Sequence, residues 1–238
     1  MQYLWKITDG RTVREARRGV LALALLFVIF IILTPTPFVA GDTTQDEQLD
    51  RAIQAKRARQ AARIYSTLKF HTRNLTESTV RELAATILSE CEKYSLDPVL
   101  VLGVISVESE FHHKAVSSTG ARGLMQILPS TATALAREAG LEEWQGAKSL
   151  YDPVINAKLG ILYLSQLKER FNDTKIALAA YRWGPTSVQE KMQNRQEVPF
   201  KYSHKVLALA RLYHERPPKI LTDRPSLPGQ ENSRGQLT

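Results

Sequence analysis

The stretch "VLVLGVISVESEF", Val99 to Phe111, carries two carboxylates, Glu108 and Glu110, at the end of an aliphatic run. In a helix, Val101, Val104, Ile105 and Glu108 share one face by three-and-four spacing. Glu110 falls about 200° further round and is expected to point away. Burial against aliphatics and the negative end of a helix both disfavour the ionised form of Glu108. A carboxyl that keeps its proton near neutral pH is what a general acid requires. A solvated glutamate on an outer helix face is the competing reading, and periodicity alone does not separate the two. Downstream, "GARGLMQILPSTA", Gly120 to Ala132, sets two glycines before an apolar run interrupted by Gln126. Glycine permits close backbone approach, and an amide there donates and accepts hydrogen bonds toward a ligand.

Other reactive patterns are missing from the sequence. It has no His-Glu-x-x-His zinc pattern, no phosphate-binding loop, no Gly-x-Ser-x-Gly elbow and no acidic calcium loop with its glycine. His112 and His113 follow the carboxylates in what reads as a solvated turn, not a ligand set. With one cysteine, Cys91, the chain makes no internal disulfide and no four-ligand thiolate site. On "VRELAATILSECEKY" that cysteine takes the place of a small buried hydrophobe. The expected site uses no metal and no cofactor.

The elements that must position these residues are punctuated clearly between about Glu77 and Glu215. Asp97-Pro98 and Asp152-Pro153 each supply an N-cap followed by proline at the first helical position. Pro129-Ser130 opens "STATALAREAG", and Gly140 closes it. Apolar spacings of three and four recur in "INAKLGILYLSQLKERF" and "SHKVLALARLYHE". No alternating strand of convincing length appears. The expectation for residues 77–215 is an all-α domain of six to eight helices. Residues 41–76 are polar and charged, and neither Gly nor Pro falls between Asp42 and Thr76. They predict a helical stalk or linker. Residues 216–238, rich in Pro, Gly and polar side chains, predict a disordered tail.

The N-terminus is of another kind. Residues 1–19 carry Lys6, Arg11, Arg14, Arg17 and Arg18 against Asp9 and Glu15. "VLALALLFVIFIIL", Val20 to Leu33, then runs without a polar side chain. Extended to Ala40 it reaches about twenty residues, the length that crosses a bilayer's hydrocarbon. Phe38 occupies the position where cleavage before Gly41 would need a small residue. A transmembrane anchor over 20–40 is therefore favoured over a cleaved signal peptide. The basic flank stays cytoplasmic, which sends the chain after Gly41 outward. The rest of the 238 residues allow one domain of ordinary size. The net charge of +8 leaves a mild basic excess there, suited to an acidic polymer or anionic surface. No basic block with interleaved aromatics appears, so no nucleic-acid partner is expected.

Taken together, "VESEF", "GARGLMQILPSTA", "KYSLDPVLVLGVISVES", "YDPVINAKLGILYLSQL", "ALAAYRWGP" and "VPFKYSHKVLAL" resemble, in order and spacing, the lytic transglycosylase family 1 (Slt-type) domains. These are lysozyme-like enzymes that cut peptidoglycan, and the resemblance covers about residues 80 to 212. It implies a goose-type/Slt lysozyme-like helical fold, with Glu108 as catalytic acid/base. Gly123, Leu124, Met125 and Gln126 match the motif lining the cleft, with Gln126 a sugar contact. Asn156 and Gly160 match a structural part of the following helix. Tyr181 matches a tyrosine whose hydroxyl lies near the catalytic carboxyl and helps position it. Ser109 orients the glutamate or a substrate acetamido group, unless it bonds only its own helix backbone.

One position departs from the pattern. The family usually reads Ala-Tyr-Asn-x-Gly, whereas this chain has Ala180-Tyr181-Arg182-Trp183-Gly184. Arg182 either contacts an anionic peptide stem or lactyl group or plugs the cleft, and Trp183 stacks on a sugar ring or fills core. The resemblance implies cleavage of the MurNAc–GlcNAc β-1,4 bond with 1,6-anhydroMurNAc as product. It also implies glycan strands as partner and a domain facing the periplasm from the inner membrane. A lysozyme-like hydrolase and a non-catalytic or partner-activated scaffold are the alternatives, the last serving wall-synthesis or secretion-system partners.

Overall fold

The computed structural model describes residues 43–215. The basic segment 1–19, the anchor expected over 20–40 and the tail 216–238 lie outside the described residues. Among the described residues, no helix is long and apolar enough to cross a membrane. The elements are α1 (Thr43–His71), α2 (Glu77–Lys93), α3 (Pro98–Ser109), α4 (Pro129–Glu138), a 3-10 turn (Ala147–Tyr151), α5 (Pro153–Phe171), α6 (Thr174–Trp183), α7 (Pro185–Gln193) and α8 (Lys201–Glu215). β-structure among them is limited to two isolated bridges, Val116 with Arg122 and Arg122 with Ile127. The all-α expectation therefore holds.

The described residues fall into two units, one ending at Ala52 and the other starting at Ile53. The first is described only over the opening of α1, where Arg51 and Glu47 pair at 3.2 Å on an exposed surface. Every other described element belongs to the second.

Side-chain caps set the helix starts. The Asp97 carboxylate accepts from the Val99 N–H at 3.1 Å. Asp152 accepts from the Val154 and Ile155 N–H groups at 2.8 and 3.0 Å. In both cases the following proline has no N–H to leave unsatisfied. Asp173 caps α6 through the Ile176 N–H at 2.8 Å. At the other end of α4, Gly140 takes a left-handed φ of +61° just beyond the C-cap Ala139.

α3 is the axis of the core. Pro98 through Ile105 are all buried, and α2 and α8 pack against it. Gly103 brings α8 in close: a Cβ there would lie 2.7 Å from the Val206 carbonyl oxygen, nearer than any side chain tolerates. α5 lies between α2 and α6, burying Ala157, Leu159, Ile161, Leu162 and Leu164. Each fully buried Leu or Ile of this kind contributes about 1.5–3 kcal/mol. Cys91 is buried as a small apolar residue, and that burial pushes its thiol up to about 12.

The stalk expected over 41–76 needs correction. Helix is present from Thr43, but its last two turns are not a spacer. Ile64 and Leu68 are buried in the same core as α3 and α8. Glu77 at the start of α2 binds back to α1 through Tyr65 and Lys69, and pairs with Arg81 on its own helix. His71 stacks on Phe111 with ring centroids 4.8 Å apart, and Tyr213 meets both edge-on. The domain thus begins well before residue 77, because two apolar residues four apart are enough to dock one turn of a mostly polar helix.

Candidate active site

Glu108 lies in the last turn of α3, half-buried, with Val101, Val104 and Ile105 of its face fully inside the core. Burial pushes its carboxyl above the usual carboxylate range; a hydrogen bond from Tyr202 and the charge of Arg182 draw it partly back. The Tyr202 hydroxyl donates to Glu108 Oε1 at 2.6 Å. Tyr202 itself is held well above the ordinary phenol value, first by burial and then by the Glu108 charge, so it stays a donor.

Three adjoining cavities of about 630, 430 and 480 Å³ form a cleft around this pair. Ser117 and Gln126 line all three, and Glu108 lines the first and the second. The first lobe is walled by Arg73, Asn74, Glu110 and His112 to Lys114. The middle lobe has Glu108 and Tyr202 with Arg182, Trp183, Lys201 and Lys205. The third has Tyr163, Tyr181, Arg182 and Trp183. Among the described residues, Glu108 and Glu110 are the acidic side chains that line the cleft.

Glu110 departs from its expected direction. The helix ends at Ser109, and Glu110 and Phe111 take left-handed φ values of +48° and +64°. Helical phase no longer applies there, so exposed Glu110 comes round to the same lobe as Glu108. Two non-glycine residues in that region carry backbone strain, and Phe111, 2% exposed against His71 and Tyr213, anchors the turn.

The Gly123–Gln126 turn is built from beneath. Asn156 of α5 is fully buried, its Oδ1 accepting from the Met125 N–H at 2.7 Å. Its Nδ2 donates to the Arg122 and Leu150 carbonyls at 2.9 and 3.0 Å. Gly123, at φ +79°, sits so close that a Cβ would overlap Asn156 and the Leu150 carbonyl. Gly160 leaves the space that Met125 fills. Leu124 and Met125 are both 0% exposed. Gly123, Leu124 and Met125, expected as cleft residues, form the buried support of the turn. Gln126, at φ +48°, alone of the four faces the cleft. Its Nε2 donates to the Ala115 and Gly123 carbonyls at 3.1 and 2.9 Å, which commits the donor and leaves the amide oxygen as an acceptor for a ligand N–H or O–H.

Ser109 borders the first lobe. It is buried, and its hydroxyl bonds the carbonyls of Ile105 at 3.1 Å and Leu124 at 2.8 Å. It ties the end of α3 to the Gln126 turn. The Tyr181 hydroxyl donates to the Met125 carbonyl at 2.8 Å. Its position near Glu108 raises its own pKa after burial does, yet the carboxyl is held by Tyr202. Trp183 is 51% exposed in the cleft, not core filling, and the Arg182 guanidinium lies 5.6 Å from its ring centroid.

Tyr202 carried no role in the sequence reading. The signal available was its place in the series Tyr202, Val206, Ala210 and Tyr213, the buried face of α8. A tyrosine leading an otherwise aliphatic stripe has a hydroxyl that needs a partner.

An all-helical body with a half-buried carboxyl at the junction of a long open cleft has the form of a lysozyme-like domain. The family described as Transglycosylase SLT domain matches residues 85–203, half of the chain, and the chain belongs to that family. It is 37% identical over 99 residues to a transglycosylase of Enterobacteria phage PRD1, covering 42% of this chain and 34% of that protein. It is 31% identical over 139 residues to the membrane-bound lytic murein transglycosylase C of Histophilus somni, covering 55% and 37%. The structure of the 70-kDa soluble lytic transglycosylase of Escherichia coli superposes with a TM-score of 0.52 at 23% identity, over 67% of this chain and 30% of that one. That likeness establishes the fold. The chain spans about a third of the length of these relatives.

Proposed function

We propose that this chain is a peptidoglycan lytic transglycosylase that cleaves the MurNAc–GlcNAc β-1,4 bond and leaves 1,6-anhydroMurNAc ends. The observation that carries the reading is the Glu108–Tyr202 pair at the junction of a long cleft. An elongated cleft suits a polymer, and a raised carboxyl held by a phenol suits a general acid. Two-carboxylate glycosidases set a second acid across the bond. Here Glu110 emerges from the same turn of chain as Glu108, on one rim.

A single carboxyl serves both halves of the reaction if the substrate supplies the rest. Glu108 protonates the glycosidic oxygen as the C1–O bond breaks, while the MurNAc acetamido group stabilises the developing cation. Glu108, now a carboxylate, takes the proton of the C6 hydroxyl, and that oxygen closes onto C1. No water is consumed, and the carboxyl ends protonated as it began. Tyr202 fixes the orientation of the carboxyl. Gln126 accepts from the sugar, and Trp183 offers a stacking face.

The apolar segment 20–40 and the membrane-bound relative support an inner-membrane anchor with the domain in the periplasm. Fractionation of the full chain with and without that segment tests this placement.

Mass spectrometry of muropeptides released from purified sacculi tests the chemistry. The expected products are lighter by one water than lysozyme's, and reducing ends would assign a hydrolase. Glu108→Gln should lower release by at least about 10²–10⁴-fold, the usual contribution of a general acid. Glu110→Gln should keep most of the activity; equal impairment of both variants would overturn the assignment of roles.

A further inference from the structure

The middle lobe of the cleft has a feature that the bond-cleaving reading does not use. Arg182 at the end of α6 and Lys201 and Lys205 on the first turns of α8 line one space with Glu108. All three are exposed, and none pairs with a carboxylate among the described residues. Like charges gathered around one concavity repel one another unless something anionic enters. The first lobe differs, since there Arg73 and Lys114 are interspersed with Glu110. The third lobe is chiefly aromatic and hydroxylic beside Arg182. Positive charge is thus concentrated in the lobe that holds the acid, and Arg182 favours the carboxylate form of Glu108 and works against proton donation.

Building on the proposed activity, we infer that Arg182, Lys201 and Lys205 form a subsite for a carboxylate borne by the muramyl residue at the cleaved bond. The pyranose rings and acetamido groups of MurNAc and GlcNAc are themselves uncharged. Its anionic groups hang from the lactyl ether of the muramyl unit: either the carboxylates of an attached peptide stem, or the lactyl carboxylate when the stem is absent. A muramyl ring set against Glu108 carries such a substituent beside the three cations of the same lobe. A guanidinium takes a carboxylate through two parallel N–H donors, while the lysines add charge with less directional demand. The bound carboxylate also offsets the effect of Arg182 on the acid, so a charged substituent aids the proton transfer as well as binding.

Binding is measured in the Glu108→Gln background, where strands stay intact, on three substrates. These are stem-bearing glycan strands, strands stripped of stems by an amidase, and stem-bearing strands whose carboxylates have been converted to amides. Arg182→Gln should weaken binding of stem-bearing strands by about threefold to fivefold, as exposed charge pairs do. Adding Lys201→Gln and Lys205→Gln should bring the loss beyond about tenfold, and the difference should fade at about 1 M salt. Amidated strands should bind the triple variant and its parent alike. Stripped strands that respond to the substitutions assign the lactyl carboxylate; stripped strands that do not respond assign the stem. A triple variant that binds stem-bearing strands as tightly as its parent overturns the inference, even if Glu108→Gln abolishes cleavage as proposed. Conversely, charge-dependent binding by a wild-type chain that releases no anhydro products would retain the subsite and remove the activity.

Discussion

At the scale of residues, the Glu108 carboxyl is set by opposing influences whose removal has different signs. Burial raises it, while the Tyr202 hydroxyl and Arg182 stabilise the ionised form. Replacing Tyr202 by Phe deletes a donor to the carboxylate, so the proton should be held to higher pH. The activity attributed to the protonated acid falls as pH rises through that value. Tyr202→Phe is therefore expected to move the descending limb of the kcat/KM profile toward higher pH while lowering the rate at the optimum. A limb that moves to lower pH would show that the phenol does not act on the carboxylate. Glu108 and Gln126 were legible in the sequence because each stands out within a short local pattern. Tyr202 was not, because its partner is 94 positions away and only the docking of α8 on α3 brings them together. Leu124 and Met125 were read as cleft residues because a motif gives identity and spacing but not which side of a turn faces solvent.

At the scale of elements, the close crossing of α3 and α8 positions the acid and its phenol together. Gly103→Ala puts a methyl group into the Val206 carbonyl, and backbone cannot swing aside as a side chain does. The expected cost is about 1–3 kcal/mol, the usual range for overpacking, read from a urea midpoint. A drop in turnover larger than a helix-surface mutation causes should accompany it, since α8 carries Tyr202. A second junction, between α1 and α2, is electrostatic. Hydrogen bonds from Lys69 and then Tyr65 hold Glu77 down to about 2 from an ordinary 4.5. A depressed carboxylate contributes stability above its unfolded value and loses it as pH falls toward the folded one. Wild type should therefore exceed Glu77→Gln in stability above about pH 4.5, and the two should converge by about pH 2; a gap that persists in acid would contradict the tie. Helix starts were readable, since Asp97 and Asp152 cap where their sequence suggested. The docking of α1 was not, because Ile64 and Leu68 sit in a run of charged and polar residues with no periodic face over its full length.

At the scale of the whole molecule, the family match begins at residue 85 but the folded unit begins earlier. A chain started at Glu77 lacks Ile64, Leu68 and His71, and exposes the core side chains and the Phe111 and Tyr213 rings they cover. Relative to one started at Ile53, it should unfold at markedly lower urea or fail to stay soluble. Within the full chain, Leu68→Ala should cost about 2–5 kcal/mol, as other buried leucines do. Equal midpoints for the two truncations would mean that α1 rests on the core without stabilising it.

The crossing at Gly103 also orders events in time. Glu108 leaves the ribosome long before Tyr202, and α8, the last described helix, must arrive before the carboxyl is oriented and the middle lobe has its wall. A nascent or stalled chain carrying every residue through Trp183 holds the acid without the group that aims it. On the proposed chemistry, a chain ending at Trp183 is expected to release no muropeptides, and release by such a truncation would show that the acid works without α8. Under the proposed activity, the order of assembly alone would leave the acid unaimed until the last described helix docks.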